Sequence, residues 1–460
     1  MSLSVVILAA GKGKRMASNI PKVMHCLGGE PMLSRVIKTA QSLNPEHIHI
    51  VYGNGGSDIP NSFPDLKVNW VHQHEQLGTG HAVMQALPFC KDDEQLLVLY
   101  GDVPLISVET LRQLFSAAKE KNSVGLLVAK LPDSTGFGRI IRDAHHNIIA
   151  IVEEKDATPE QRMIKEINTG IITAPVALLK KLLPDISNHN AQKEYYLTDI
   201  ISLSVKDNHP IAGVTAPDLM EIRGVNDQWQ LVTLERYYQH YRAQQLAYSG
   251  VVIMDPARLD IRGNITIAPT VQLDVNIILE GDVKIGAGSK IGPNVTIKNS
   301  VIGENVSVFS NSVIEGAIIE NHCSVGPFAR IRANTVLKTK SKVGNFVETK
   351  NIVLGAESKA SHLTYLGDSH IGDHVNIGAG TITCNYDGVN KWPTEIGDGA
   401  FIGSNTSLIA PVKIGENATI AAGSVIGKDA PADQLSITRA KQEVIKGWKR
   451  PVKKSQTEIN

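Results

Sequence analysis

Residues 396–427 read IGDGAFIGSNTSLIAPVKIGENATIAAGSVIG, with an aliphatic residue at every sixth position: Ile396, Ile402, Leu408, Ile414, Ile420 and Ile426. The same step runs earlier through Ile261, Ile267, Leu273, Leu279, Ile285, Ile291 and Ile297. Between the two series the register continues as Ile302, Val308 and Ile314, then Ile319, Val325, Ile331, Leu337 and Val343, with five-residue steps where one series hands to the next. Glycine often follows the repeated residue, at Gly286, Gly292, Gly303, Gly397, Gly403, Gly415 and Gly427. A period of six is neither helical nor that of an alternating strand. It suits a chain that turns a corner every six residues, sending one aliphatic side chain inward per flat strand and placing a small residue at the turn. Three such strands make one triangular coil, and stacked coils bury an aliphatic column. Rings do not fit so narrow an interior, which accounts for an aromatic content of 5%.

Upstream of the repeat, residues 227–249 contain neither Gly nor Pro, and Leu231, Leu234, Tyr238, Tyr241 and Tyr248 share one face at heptad-like spacing. A helix of about 33 Å is predicted there, stopped by Gly250 and acting as a rigid connector. Residues 1–226 alternate short apolar runs (4–10, 47–51, 95–99) with helix-like stretches such as 31–42 and 108–121. That alternation predicts an α/β domain with a largely parallel sheet and ligands at the carboxyl ends of its strands. The expected domains are therefore 1–226, the helical linker 227–249, and 250–460 with a C-terminal tail. A chain of 460 residues agrees, since one core stops growing at roughly 250–300. Forty-six basic and 46 acidic residues cancel, which argues against a general nucleic-acid or membrane-surface binder. No apolar run approaches the ~18 residues of a membrane span, and the run Val5 to Ala10 has its basic residues after it, the reverse of a secretory signal. Cys26, Cys90, Cys323 and Cys384 are scattered, without a CxxC pair. The expectation is a reduced, soluble, cytoplasmic chain.

Leu8-Ala9-Ala10-Gly11-Lys12-Gly13-Lys14-Arg15-Met16 follows the first predicted strand, with Pro21-Lys22 close behind. Small residues let backbone N–H groups approach a phosphate, and basic side chains offset its charge. Gln73-His74-Glu75-Gln76-Leu77-Gly78-Thr79-Gly80-His81 offers amides to a pyrimidine edge, and Tyr100-Gly101-Asp102 puts a carboxylate just past a strand end, where Mg²⁺ could be held. The string L-A-A-G-x-G-x-R-M followed by P-K resembles the signature of sugar-phosphate nucleotidyltransferases, and the hexads resemble the left-handed parallel β-helix of hexapeptide-repeat proteins. Over nearly its whole length the chain resembles the bacterial bifunctional N-acetylglucosamine-1-phosphate uridyltransferase/glucosamine-1-phosphate acetyltransferases. That resemblance implies a Rossmann-like nucleotidyltransferase domain using UTP. It puts Leu8, Ala9, Ala10, Gly11 and Tyr100 in the nucleotide site, Lys22 and Arg15 at the triphosphate, and Gln73, Gln76, Gly78 and Thr79 at the uracil. Gly138, Glu153 and Asn168 would meet the sugar, with Asp102 and Asn226 holding Mg²⁺. An anionic sugar phosphate attacks without a general base, so cations and positioning carry such a reaction.

A β-helix can be structure alone, so its polar exceptions matter. Arg330 and Arg332 flank inward Ile331 and should point outward. Asn345-Phe346-Val347-Glu348-Thr349-Lys350 and Ser361-His362-Leu363-Thr364-Tyr365 interrupt the hexads, and an insertion at Thr383 to Lys391 precedes their resumption. Taken singly, His362 reads as an ordinary surface histidine. Beside this insertion it resembles the family's catalytic base. The resemblance places Arg332, Lys350, Tyr365, Asn376 and Lys391 around the sugar phosphate and amine, with Glu348 near the histidine. Asn385 and Tyr386 would lie at the amine or acetyl group, and Ala379, Ser404, Ala422 and Arg439 would contact acetyl-coenzyme A. It also implies a homotrimer. The basic tail around Trp448 (Lys446, Lys449, Arg450, Lys453, Lys454) would cover an adjacent subunit's acetyl-coenzyme A site. Where many members have a Pro-Gly turn, this chain has Ala333-Asn334. The competing expectations are a single-activity nucleotidyltransferase with a structural or regulatory β-helix, and a non-enzymatic regulatory subunit.

Overall fold

The computed structural model describes residues 2–11, 13–53, 56–120 and 123–452; Lys12, Lys121, Lys453 and Lys454 of the segments above lie outside them. The chain forms two compact units, Met1–Gln244 with Ile261–Gly263, and Gln245–Asp260 with Asn264–Asn460.

The first unit is built on nine strands: β1 (Leu3–Leu8), β4 (His47–Tyr52), β5 (Asn69–His72), β6 (Gln95–Tyr100), β7 (Val124–Lys130), β8 (Arg139–Arg142), β9 (Ile148–Val152), β10 (Glu166–Pro175) and β11 (Ile211–Thr215). A separate small hairpin supplies β2 (Cys26–Leu27) and β3 (Glu30–Pro31). The main sheet runs β11-β7-β10-β6-β1-β4-β5, with β8 pairing β10 and β9. Strands β6, β1, β4 and β5 run parallel to one another, whereas β10 runs antiparallel to β6 and β7. Alternate residues of β1 and β6 feed two different cores. Val6, Leu8, Leu96 and Val98 pack on one face, and Val5, Ile7, Leu97 and Leu99 on the other. A sheet covered on both faces demands unbroken apolar strands, which is why these runs do not alternate with polar residues.

In the second unit most short strands pair in parallel with the strand three later, so three strands close one coil. Ile402 lies against Ile420 and Leu408 against Ile426, one full set of three hexads later. Where a five-residue step intervenes the coil shortens by one, so Ile297 meets Ile314 and Ile302 meets Ile319. The hexad residues are buried throughout, including Ile285, Ile297, Ile331, Ile402 and Ile420. The following glycines are needed for the close approach of the next coil. A Cβ on Gly403 would lie 2.4 Å from the Ala422 nitrogen. The corners themselves use asparagine as much as glycine. Asn276, Asn294 and Asn311 adopt left-handed φ, and their amides form a ladder of 2.7 and 3.2 Å hydrogen bonds. Asn334, at φ 61°, fills the same role in the Ala333-Asn334 turn.

The long helix spans Gln228–Tyr248. Its expected apolar face is covered only over the first half. Leu234 and Tyr238 are buried, whereas Tyr241 and Tyr248 are exposed. Polar Gln239 is buried because its amide bridges the backbone of Ile261 at 2.7 and 2.8 Å.

Candidate active sites

In the first unit a cavity of about 530 Å³ opens at the carboxyl ends of β1 and β6. Leu8, Ala9, Ala10, Gly11, Lys22, Gln73, Gln76, Gly78, Thr79, Tyr100 and Asp102 all line it, eleven residues expected at the nucleotide. Gly13 has φ 56°, and a Cβ there would strike Lys22, so the glycine lets the loop fold back onto that lysine. The Lys22 ammonium contacts the Asp102 carboxylate and lies 3.3 Å from the Asn226 amide oxygen. A backbone bond from Val225 N–H to the Asp102 carbonyl, 3.0 Å, brings Asn226 to this point. Two hard oxygen donors thus already face one cation, the donor set a Mg²⁺ requires beside phosphate oxygens. Glu46, His47 and Glu94 also cluster at metal-like spacing, but they sit at the starts of β4 and β6, the opposite end from Asp102.

Arg15 is exposed in the turn Lys14–Met16, and Lys14 lines the cavity instead. Glu194 is a second lining residue that the sequence did not signal. Gly138, Glu153 and Asn168 do not line this cavity but converge on one another. The Asn168 N–H donates to the Gly138 carbonyl at 2.9 Å, and a Cβ on Gly138 would sit 3.4 Å from the Glu153 carboxylate. Thr198, another residue missed from sequence, donates to Glu153 at 3.1 Å. Burial lifts the Glu153 carboxyl above its ordinary value, and half-buried Tyr100 is raised by desolvation and then by the charges of Glu153 and Asp102.

In the second unit His362 is exposed on a coil corner, not sealed in the prism. Its Nδ1 donates to the Asn345 amide oxygen at 2.7 Å, which puts the lone pair of the neutral ring on Nε2. Register dictates this partner, for Asn345 lies directly beneath His362 in adjacent coils. Glu348, expected near the histidine, pairs with Arg332 at 2.7 Å. Arg332 and Lys391 both press on Lys350, whose ammonium they hold below its usual value, Lys391 most strongly. Tyr365 stands opposite Glu348 in the next coil. The insertion is internally tied. Asp387 accepts from the Trp392 indole at 2.7 Å and from two backbone N–H groups, which depress it to about 2. Tyr386 donates to the Gly388 carbonyl at 2.5 Å, and Asn385 donates to Asp368.

Small residues continue the His362 column. The Gly380 N–H bonds the Leu363 carbonyl, Asn405 bonds Ala379, and Gly423 bonds Ser404, so Ala379, Ser404 and Ala422 follow on successive coils. The Arg439 side chain runs past Gly423 at the end of this row. Asn376 opens the strand Asn376–Ile377 and is half-buried, with no side-chain bond joining it to the cation cluster.

A MobA-like NTP transferase domain matches residues 5–199, a GMPPB C-terminal domain residues 261–355, and a bacterial transferase hexapeptide model of six repeats residues 393–428. Bifunctional protein GlmU of Coxiella burnetii (strain CbuK_Q154) is 58% identical over 455 residues, 99% of this chain and 100% of that one. The Legionella pneumophila (strain Philadelphia 1) protein of the same name is 52% identical over 458 residues, covering 99% of each. This chain belongs to the GlmU family. It is accordingly a bifunctional transferase, a GlmU-type nucleotidyltransferase joined to a hexapeptide-repeat acetyltransferase, with uridyltransferase and acetyltransferase activities. UDP-glucose pyrophosphorylase complexed with UDP-glucose is a similar solved structure, at TM-score 0.44 and 17% identity over 53% of this chain and 99% of that one. Among the described residues of this GlmU chain, no helix is long and apolar enough to cross a membrane.

Proposed function

We propose that residues 250–460 acetylate glucosamine-1-phosphate with acetyl-coenzyme A, and that residues 1–226 then join the product to UTP, releasing pyrophosphate and UDP-N-acetylglucosamine; 227–249 link the two. The observation that carries this reading is His362, exposed and held through Nδ1 by Asn345, in the same pair of long strands as Lys350 with its neighbouring cations. A purely structural β-helix has no use for a lysine set against two further cations, whereas a sugar phosphate compensates that charge.

In acetyl transfer the neutral amine attacks the thioester carbonyl, the proton it sheds passes to His362 Nε2, and the departing thiolate of coenzyme A takes it up. Arg332, Lys350 and Lys391 hold the phosphate, with Tyr365 and Asn376 beside the sugar and Asn385 and Tyr386 at the amine or acetyl group. The row Ala379, Ser404, Ala422, ending at Arg439, offers a shallow track for the long arm of coenzyme A. In uridyl transfer the sugar phosphate oxygen attacks the α-phosphorus and the bond to pyrophosphate breaks. Lys22 and Lys14 supply positive charge, Gln73, Gln76, Gly78 and Thr79 hold the uracil, and Gly138, Glu153 and Asn168 hold the sugar. Asp102 and Asn226 would hold a Mg²⁺, which neutralises charge on the triphosphate. The enzyme acts in the cytoplasm as a homotrimer. Exposed Phe328, Phe346 and Leu363 along one corner, the two rings 5.3 Å apart, support a face covered by a second copy.

The test is a coupled assay of purified protein with glucosamine-1-phosphate, acetyl-coenzyme A, UTP and Mg²⁺, following both products by mass spectrometry. His362→Ala should abolish acetyl transfer and leave uridyl transfer near wild type. Loss of both in a folded protein refutes separate sites.

A further inference from the structure

We infer that His81 sets the base preference of the nucleotide pocket by fixing which end of the Gln73 amide faces the base; the inference rests on reading that pocket as the UTP site. Gln73 follows β5, is 2% exposed, and lines the cavity with Gln76, Gly78 and Thr79. Its side-chain nitrogen lies 3.2 Å from the Gly78 carbonyl and 3.0 Å from His81 Nδ1. A backbone carbonyl only accepts, so the end of the amide facing Gly78 is the NH₂. Two acceptors take its two hydrogens, and Oε1 is left for the pocket.

An oxygen in that position accepts from the N3–H of uracil and repels the N3 lone pair of cytosine. For this, His81 must keep its lone pair on Nδ1 and its proton on Nε2. Gln85, one turn later on the helix Thr79–Ala86, lies 3.2 Å from His81 Nε2. Both amides cannot donate to one neutral imidazole. Each amide nitrogen also faces a backbone carbonyl, Gln73 that of Gly78 at 3.2 Å and Gln85 that of His81 at 3.3 Å, so burial decides between them: Gln73 has no room to turn, whereas half-buried Gln85 can give its bond up to water and present its oxygen to Nε2–H. The chain Gln85–His81–Gln73 therefore transmits a single orientation to the base edge. His81 is a positioning residue, touching Gln73 and not the substrate.

The full chain is assayed for pyrophosphate release with UTP and with CTP, as wild type, H81F, H81A and H81N. Asparagine can put an oxygen where Nδ1 stood; phenylalanine and alanine cannot. In H81F and H81A the ratio of kcat/KM for UTP to that for CTP should fall roughly tenfold, chiefly through KM for UTP, and H81N should return it to within about threefold of wild type. Equal loss with both nucleotides, an unchanged ratio, or an H81N that behaves like H81F overturns the inference. A wild type that turns over CTP but not UTP overturns the pocket reading as well, and is distinguished by needing no variant.

Discussion

The two units assemble their sites by opposite routes. In the prism, neighbours in space are one coil apart in sequence. Asn345 meets His362 and Glu348 meets Tyr365 by the same fixed offset. In the nucleotide unit, Lys22 reaches Asp102 and Asn226 across sequence separations of 80 and 204 residues. A periodic fold makes a site's partners a matter of counting. An open α/β sheet gathers them from loops whose meeting depends on strand order and on what each loop bonds. The two sites also differ in charge logic: Lys22 is compensated by Asp102, while Lys350 stands against like charge.

The largest expected effect cuts the units apart. Asp102→Ala should lower uridyl transfer by at least about a hundredfold, since a cation-holding carboxylate is lost, with acetyl transfer within about twofold. Retained uridyl transfer would refute the proposed metal ligands. Asn345→Ala should lower kcat for acetyl transfer by roughly ten- to a hundredfold with KM little changed, because it releases the tautomer of His362 while leaving the phosphate cluster intact. A change confined to KM would place Asn345 at the substrate instead. Ile402→Ala, at a fully buried hexad position, should cost the second unit about 2–5 kcal/mol in chemical denaturation, and uridyl transfer should survive at concentrations where acetyl transfer is lost. Parallel loss of both would mean that the units unfold as one.

The smallest effect concerns pH. Because Lys391 and Arg332 depress Lys350, rising pH neutralises it earlier than an ordinary lysine, and KM for glucosamine-1-phosphate should climb on the alkaline side. Lys391→Gln removes the chief cause of the depression, so the climb should move to higher pH. A midpoint unmoved in that variant would remove Lys350 from phosphate binding.

Much of the prism was legible because its period is written in side chains. The hexads predicted three strands per coil, and the five-residue steps fall where coils shorten. The same arithmetic contained the Asn345–His362 pair, which the family resemblance did not point to. The nucleotide loop was legible as a motif, but not which of its basic residues turns inward. Lys14 and Arg15 are adjacent on a short turn that follows left-handed Gly13, and Lys14 is the one that lines the cavity. Glu194 and Thr198 come from a stretch with no pattern of its own.

From the sequence alone came the aliphatic period, the apolar strands, the glycine loop and the chemical types gathered around them, because burial and phosphate binding act on local composition. Only the tertiary structure decided that Lys22, Asp102 and Asn226 share one point, that Thr198 bonds Glu153, and that the Gln73 amide is gripped from two sides. Those contacts depend on distances between segments remote along the chain, which no local pattern encodes.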